Sequence, residues 1–130
     1  MKKIGNIEIL KPSCDPTTIT DGRGGIYTWL PSEPLLEFNL LFFNPDKIRG
    51  NHYHNEFVEY FLVVQGEGTL YTESSDGETI QFQAKTGDCF RVPMGTSHTF
   101  HATTEVKAVS MLTKPWSDCK VPIVKNELHL

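Results

Sequence analysis

The chain has 130 residues, enough for one domain that buries a core without staples. Twelve Lys and Arg against 16 Asp and Glu give a formal net charge of −4, and no basic stripe stands out, which excludes a nucleic-acid partner. Hydrophobic residues make up 38% but form no run of transmembrane length, and Cys14, Cys89 and Cys119, uneven in number and lacking a C-x-x-C pair, exclude a disulfide framework. Lys2 and Lys3 are followed by polar interruptions rather than an apolar signal-peptide core. The expectation is a soluble, cytoplasmic chain with no membrane contact.

In chain order, the first β-like run is Ile7 to Leu10, closed by Pro12 and Pro16. Asp21-Gly22-Arg23-Gly24-Gly25 is rich in turn residues, and Ile26 to Leu30 then reads as a strand until Pro31 and Pro34 interrupt it. Leu36 to Phe43 is the longest apolar run; only Glu37 and Asn39 alternate into it before both faces turn apolar. This pattern predicts a strand buried on both sides, in a core or at a subunit contact. Asn44-Pro45-Asp46 turns the chain.

Phe57 to Val64 is a second β-rich run, broken by Gly66-Glu67-Gly68. Thr69 to Thr72 and Thr79 to Gln83 flank Ser74-Ser75-Asp76-Gly77, whose Asp-Gly pair is a hairpin signal. Cys89 to Val92 leads into the turn Pro93-Met94-Gly95. Ser97 to His101 and Val106 to Thr113 are the last strong strands, and Val121 to Val124 offers an edge strand. Turns recur roughly every eight to twelve residues and no stretch sustains a helical apolar period. The prediction is an all-β sandwich or barrel. No linker or repeat divides it, so residues 1–130 read as a single domain.

Chemistry concentrates in Gly50 to Gly66. His52 and His54 stand at i and i+2 of an extended stretch, where side chains share a face. Neutral imidazole is the commonest side-chain metal ligand, so two on one face begin a metal site. A carboxylate follows, Glu56 or Glu59. A straight strand puts Glu56 on the imidazole face, whereas a turn at Asn55-Glu56 resets the parity and brings Glu59 over them with Phe61 and Val63. Parity leaves both open. His98 is a third imidazole, His101 falls on the opposite face and reads as a non-ligand, and His129 reads as solvated. Three His and one carboxylate suit a single divalent ion (Zn, Fe(II), Mn or Ni) with a position left for substrate.

The spacing His52-x-His54-x4-Glu59-x6-Gly66, preceded by Gly50, is similar to the first motif of the cupin superfamily. Gly87-x5-Pro93-x-Gly95-x2-His98 resembles the second, with Ala102 where the motif ends in Asn. Together they cover residues 49–102. The resemblance implies a double-stranded β-helix, or jelly-roll barrel, with one metal in its mouth held by His52, His54, Glu59 and His98.

A narrower resemblance rests on two segments. Asp21-Gly22-Arg23-Gly24 resembles the D-x-R-G turn of the dTDP-keto-sugar epimerases and ketoisomerases, and Arg49-Gly50-Asn51-His52 resembles their R-G-x-H signature. There the two arginines help bind nucleotide phosphates and the histidine is the base. The implied substrate contacts are therefore Arg23 and Arg49, through guanidinium geometry suited to phosphate. The run from Arg49 to Gly66 is also similar to the cupin domain of a metal-containing capsular-polysaccharide reductase. Two departures bear on mechanism. The metal-free epimerases carry Gln where this chain has His54, and they lack the His98 motif. A metal-bound His52 cannot also be the free base, so the base candidates become Tyr27, Tyr71 and Glu37, on strands able to face the mouth.

The leading expectation is a metal-binding epimerase or isomerase acting on a nucleotide-linked keto-sugar in polysaccharide biosynthesis, as a homodimer. The alternatives are a mononuclear-metal dioxygenase or lyase on a small organic acid, and a non-enzymatic ligand or metal binder.

Overall fold

A computed structural model describes residues 2–13 and 19–128; Cys14, Pro16 and His129 lie outside them. The described residues form the strands β1 (Lys2–Ile4), β2 (Ile7–Leu10), β3 (Ile19–Asp21), β4 (Gly24–Ile26), β5 (Glu37–Phe43), β6 (Ile48–Tyr53) and β7 (Glu59–Gln65). They continue with β8 (Glu67–Glu73), β9 (Thr79–Lys85), β10 (Cys89–Val92), β11 (His98–Ala102), β12 (Val106–Leu112), a single 3-10 turn (Trp116–Asp118) and β13 (Val124–Lys125). No helix of the described residues is long and apolar enough to cross a membrane.

One sheet runs β1-β2-β10-β7-β12-β5 and the second β13-β6-β11-β8-β9, while β3 and β4 form a separate hairpin. From β5 onward the chain crosses between the two large sheets at each step, except at the β8–β9 hairpin, where Gly77 donates back to Ser74. This alternation makes the expected jelly-roll barrel. It follows from the sequence: short strands with period-2 alternation, each ended by a turn residue before it can grow into a flat sheet.

The inner faces supply the core. Phe61 and Val63 of β7, Phe90 and Val92 of β10, Phe100 and Ala102 of β11, and Val106 and Ala108 of β12 are all buried. The rings of Phe43, Phe61 and Phe100 meet across the gap between sheets, with centroids 5.2 to 6.4 Å apart. Each such side chain contributes about 2–3 kcal/mol of apolar transfer.

Three expectations change. Leu36 to Phe43 is not buried on both sides. β5 is the edge of its sheet, with Asn39, Leu41 and Phe43 facing the cavity and Phe38, Leu40 and Phe42 exposed by 80%, 54% and 57%. Ile26 to Leu30 does not extend as a strand. β4 stops at Ile26, Thr28 keeps one bridge to Ser13, and the Trp29 indole donates to the Leu10 carbonyl at 3.1 Å. Prolines 31 and 34 cannot donate to a ladder; instead Glu33 holds this segment on the sheet through Arg91 (2.6 Å) and a short hydrogen bond from the Tyr60 hydroxyl. The terminal edge strand is Val124–Lys125 rather than Val121 to Val124, since Pro122 lacks an N–H. β1 and β3 were not legible, being three residues each.

One irregularity positions the site. β6 and β11 pair as His52↔His98, then Gly50↔Thr99 and Arg49↔Phe100, so Asn51 is an extra residue in a β-bulge. Asn51 takes a left-handed φ of 59°, its N–H donates to Thr99 Oγ1 at 3.0 Å, and its Oδ1 accepts from that hydroxyl at 2.8 Å. Gly50 has a φ of 119°, and a Cβ there would lie 2.6 Å from the His98 carbonyl oxygen. Any side chain at 50 therefore pushes β6 off β11. We expect Gly50→Ala to lower stability by about 2 kcal/mol or more, against about 1 kcal/mol for Gly77→Ala, whose site is open. Chemical denaturation of both variants checks this, and equal losses would contradict it.

Candidate functional site

Antiparallel pairing brings the start of β5, β7 and β11 and the end of β6, β10 and β12 to one end of the barrel. A cavity of about 480 Å³ opens there. Its walls are largely apolar, with Phe57, Phe61, Phe90, Phe100, Leu112 and Trp116, and its polar groups are few: Asn39, Arg49, His52, His54, Glu59, His98 and Ser110.

The three imidazoles converge. Ring centroids lie 4.7 Å (His52–His54), 4.9 Å (His52–His98) and 5.1 Å (His54–His98) apart, and one nitrogen from each falls within 4.8 Å of the others. The bend at Asn55-Glu56 resets the strand parity, so Glu59 faces inward. Its Oε1 lies 3.3 Å from His54 Nε2 and 3.2 Å from His98 Nε2, and its Oε2 accepts from the Ser110 hydroxyl at 2.5 Å. Glu56, the other carboxylate that parity allowed, bonds instead to Lys114 and to the N–H groups of Lys120 and Val121.

Backbone contacts fix the rings. His54 Nδ1 meets the Pro122 carbonyl and His98 Nδ1 the Thr96 carbonyl, each at 3.0 Å, and His52 bonds to the Gly50 backbone. A carbonyl only accepts, so both Nδ1 atoms carry the proton and both Nε2 atoms turn to Glu59. Phe57 stacks on His54 with centroids 4.3 Å apart. Two ring nitrogens and a carboxylate oxygen this close require a positive charge among them, a proton or a metal ion. The three-nitrogen, one-oxygen set has the composition that a divalent transition ion accepts, and its rings are oriented as outer contacts orient metal ligands.

The electrostatics divide the imidazoles. Burial, with the neighbouring His98 and His54, pushes His52 down to about 4, so it is neutral at pH 7. Burial opposes charge on His98, but the Glu59 hydrogen bond and charge outweigh it and raise its pKa. Burial likewise disfavours the Glu59 anion, yet hydrogen bonds from His54 and His98 hold its carboxyl well below the usual range. Cys89 is buried and pushed up to about 12, which leaves it an inert thiol.

Arg49 reaches this cavity because of the bulge. Partners directly opposite on a sheet share a face, so Arg49 points inward with Phe100, its guanidinium 5.5 Å from the Phe43 ring. An unbroken strand would have turned it out. Arg23 does not join it: it lies on the exposed β3–β4 hairpin, bonded to Asp21 at 2.8 Å. Two of the three base candidates also lie away from the cavity. Tyr27 is exposed and packs on Trp29, and Tyr71 lies one residue from the inward Leu70, on the other strand face. Glu37 stands at the rim, where it accepts from Asn39 Nδ2 and the Trp116 N–H at 2.9 Å each. His101 turns outward to Asp46. Ser110 escaped the sequence reading, though a signal existed: it is a polar residue at an inward position of an otherwise apolar alternation, whereas Asn39 reads only as a polar interruption of its strand.

Residues 19–121 match the family described as the polysaccharide biosynthesis C-terminal domain. The chain belongs to that family. No curated protein sequence matches it. Among solved structures, the capsular polysaccharide assembling protein CapF from Staphylococcus aureus aligns with a TM-score of 0.66 at 19% identity, over 85% of this chain and 32% of CapF. The chain thus spans about a third of CapF. The dTDP-4-dehydrorhamnose 3,5-epimerase from Sulfolobus tokodaii aligns at 0.71 with 20% identity, over 87% of this chain and 73% of the epimerase. The 3,4-ketoisomerase QdtA from Thermoanaerobacterium thermosaccharolyticum, solved with TDP-4-keto-6-deoxyglucose, aligns at 0.75 with 12% identity, over 95% and 90%. These likenesses establish the shared cupin fold.

The His52 shift has a pH consequence. Its folded value near 4 lies below the ordinary 6.5, so between those values the unfolded chain binds the extra proton. This contribution to stability is complete above pH 6.5 and is lost as pH falls toward 4. In chelator-treated protein, the fall in melting temperature over this window should be smaller for His52→Asn than for the parent chain. Parallel curves would contradict the assignment.

Proposed function

We propose that this protein is a metal-dependent epimerase or isomerase acting on a nucleotide-linked keto-sugar. The single observation that carries the reading is that three imidazoles, the Glu59 carboxylate and the Arg49 guanidinium all face one cavity. Family membership and the fold shared with sugar epimerases and ketoisomerases support it.

On this reading His52, His54, His98 and Glu59 hold the ion, and a bound divalent ion supplies Lewis acidity toward a sugar keto oxygen. Arg49 offers a planar donor pair to the diphosphate. Apolar walls from Phe57, Phe61 and Leu112 keep water from the reacting carbon. Glu37 is the retained base candidate, since both of its hydrogen-bond partners belong to the cavity wall. Arg23 is assigned no contact within a single chain.

A second reading is favoured by one specific observation: Glu59 Oε1 engages His54 at 3.3 Å and His98 at 3.2 Å and leaves His52 facing the cavity without a hydrogen bond to the carboxylate. In that case a proton replaces the ion between Glu59, His54 and His98, and His52 itself takes the sugar α-proton as general base.

Elemental analysis with a nucleotide-sugar binding assay separates the two. The metal reading expects one divalent ion per chain, lost in His52→Ala and His98→Ala while the β-fold survives. It also expects binding of a dTDP- or UDP-sugar weakened about tenfold by Arg49→Ala, as for loss of one charge-assisted contact. Solvent deuterium entering a keto-sugar would establish turnover. Metal-free protein that still catalyses this exchange would overturn the first reading in favour of the second, and no exchange or sugar binding would sink both.

The exposed Phe38, Leu40 and Phe42 on the β5 edge are the surface on which we propose a homodimer forms. Light scattering should give twice the chain mass, reduced in Phe38→Glu; a monomeric parent chain would contradict it.

A further inference from the structure

Glu56 lies two residues from His54, yet its side chain leaves the site for the chain that follows β12. Its Oε2 accepts the Val121 N–H at 2.7 Å, and its Oε1 accepts from Lys114 Nζ at 3.1 Å and the Lys120 N–H at 3.3 Å. The next residue, Pro122, provides the carbonyl that receives the His54 Nδ1 proton at 3.0 Å. Beyond it, Val124 and Lys125 pair with Tyr53 and His52, and the Asn126 N–H donates to the Asn51 carbonyl at 2.8 Å. This stretch therefore runs along the histidine-bearing end of β6.

Side-chain packing does not fix the approach to Pro122. Lys120, Val121 and Ile123 are exposed, so the side chains on either side of Pro122 do not anchor the backbone that aims the carbonyl. The hydrogen bonds that reach the Lys120 and Val121 N–H groups come from Glu56. One carboxylate thus closes a loop from β6 across to the C-terminal segment and back to the ring two residues away.

We propose that Glu56 is a positioning residue for the site. By gripping the backbone at 120 and 121 it holds the Pro122 carbonyl on His54, which sets the tautomer of that ring and aims its Nε2 at the cavity. Outer contacts of this kind change metal affinity by about 10–100-fold when removed. The affinity consequence rests on the metal reading above; the ring-orientation consequence does not.

The test uses the full chain and its Glu56→Ala and Glu56→Gln variants. In chelator-treated protein, the His54 Nδ1 proton should give a slowly exchanging signal in ring-directed ¹H–¹⁵N spectra, because the Pro122 carbonyl protects it. Glu56→Ala should speed that exchange and, in chelator competition, weaken zinc binding about tenfold or more. Glu56→Gln, which keeps one oxygen for the Val121 N–H, should fall between the two, and it decides the matter where the alanine variant does not fold. An unchanged exchange rate overturns the proposal, as does unchanged zinc affinity in a parent chain that binds zinc. A parent chain that takes up no zinc sinks the metal reading alone, and the exchange rate still decides the role of Glu56.

Discussion

The structure turns on a largely buried carboxylate. An isolated anion cannot be moved from water into an apolar cavity without a cost of several kcal/mol. Glu59 nevertheless sits among Phe57, Phe61, Val92 and Leu112 and is held ionised. It tolerates this because each oxygen has a partner: His54 and His98 at one, Ser110 at the other. The same apolar walls that penalise the charge also strengthen its attraction to whatever cation lies between the rings. A carboxylate here is thus committed to holding positive charge at one end of the barrel.

That commitment ties the site to the whole fold. His52 and His98 come from the five-stranded sheet, Glu59 and Ser110 from the six-stranded one, and His54 from the bend that crosses between them. No single element contains the site. The distance between the sheets is set beneath it by Phe43, Phe61 and Phe100, so core packing positions the donors as surely as their own hydrogen bonds do. The bulge at Gly50 and Asn51 adds a local correction, bringing both His52 and Arg49 inward although they are an odd number of residues apart.

These features differ in how far the sequence revealed them. The barrel and most of its strands were legible because period-2 alternation and turn residues are local signals, and His52, His54 and His98 were legible because an imidazole triplet in motif spacing is rare. The choice of Glu59 over Glu56 was not available from parity, which a bend of two residues reverses. Similarly, Arg49 was found by resemblance, and its inward turn depends on a bulge that alternation does not encode. Leu36 to Phe43 was legible only in part: its outer face is not in the core of the single chain, and the subunit contact that the pattern also allowed rests on the homodimer proposed above, because an apolar face reads alike whether it meets a core or lies at an edge. Pro122 left no trace at all, since it acts through a backbone carbonyl, which every residue possesses.

The competition for His98 links the two functional readings. Glu59 raises the affinity of His98 for a proton, and on the metal reading the same Nε2 must release that proton before it can ligate. Glu59 taken alone would therefore protect the proton-filled state. It favours the ion only by offering its own oxygen to it as well, so that the charge which held the proton is transferred to the replacement. His52 is already neutral: one ring nitrogen keeps its proton toward the Gly50 backbone, and the other carries none that a ligand would displace. On the metal reading, two rings and a carboxylate would exchange a proton for an ion beside a third ring that needs no deprotonation, so the affinity for the ion, and not a rearrangement of the barrel, would decide the state of the site.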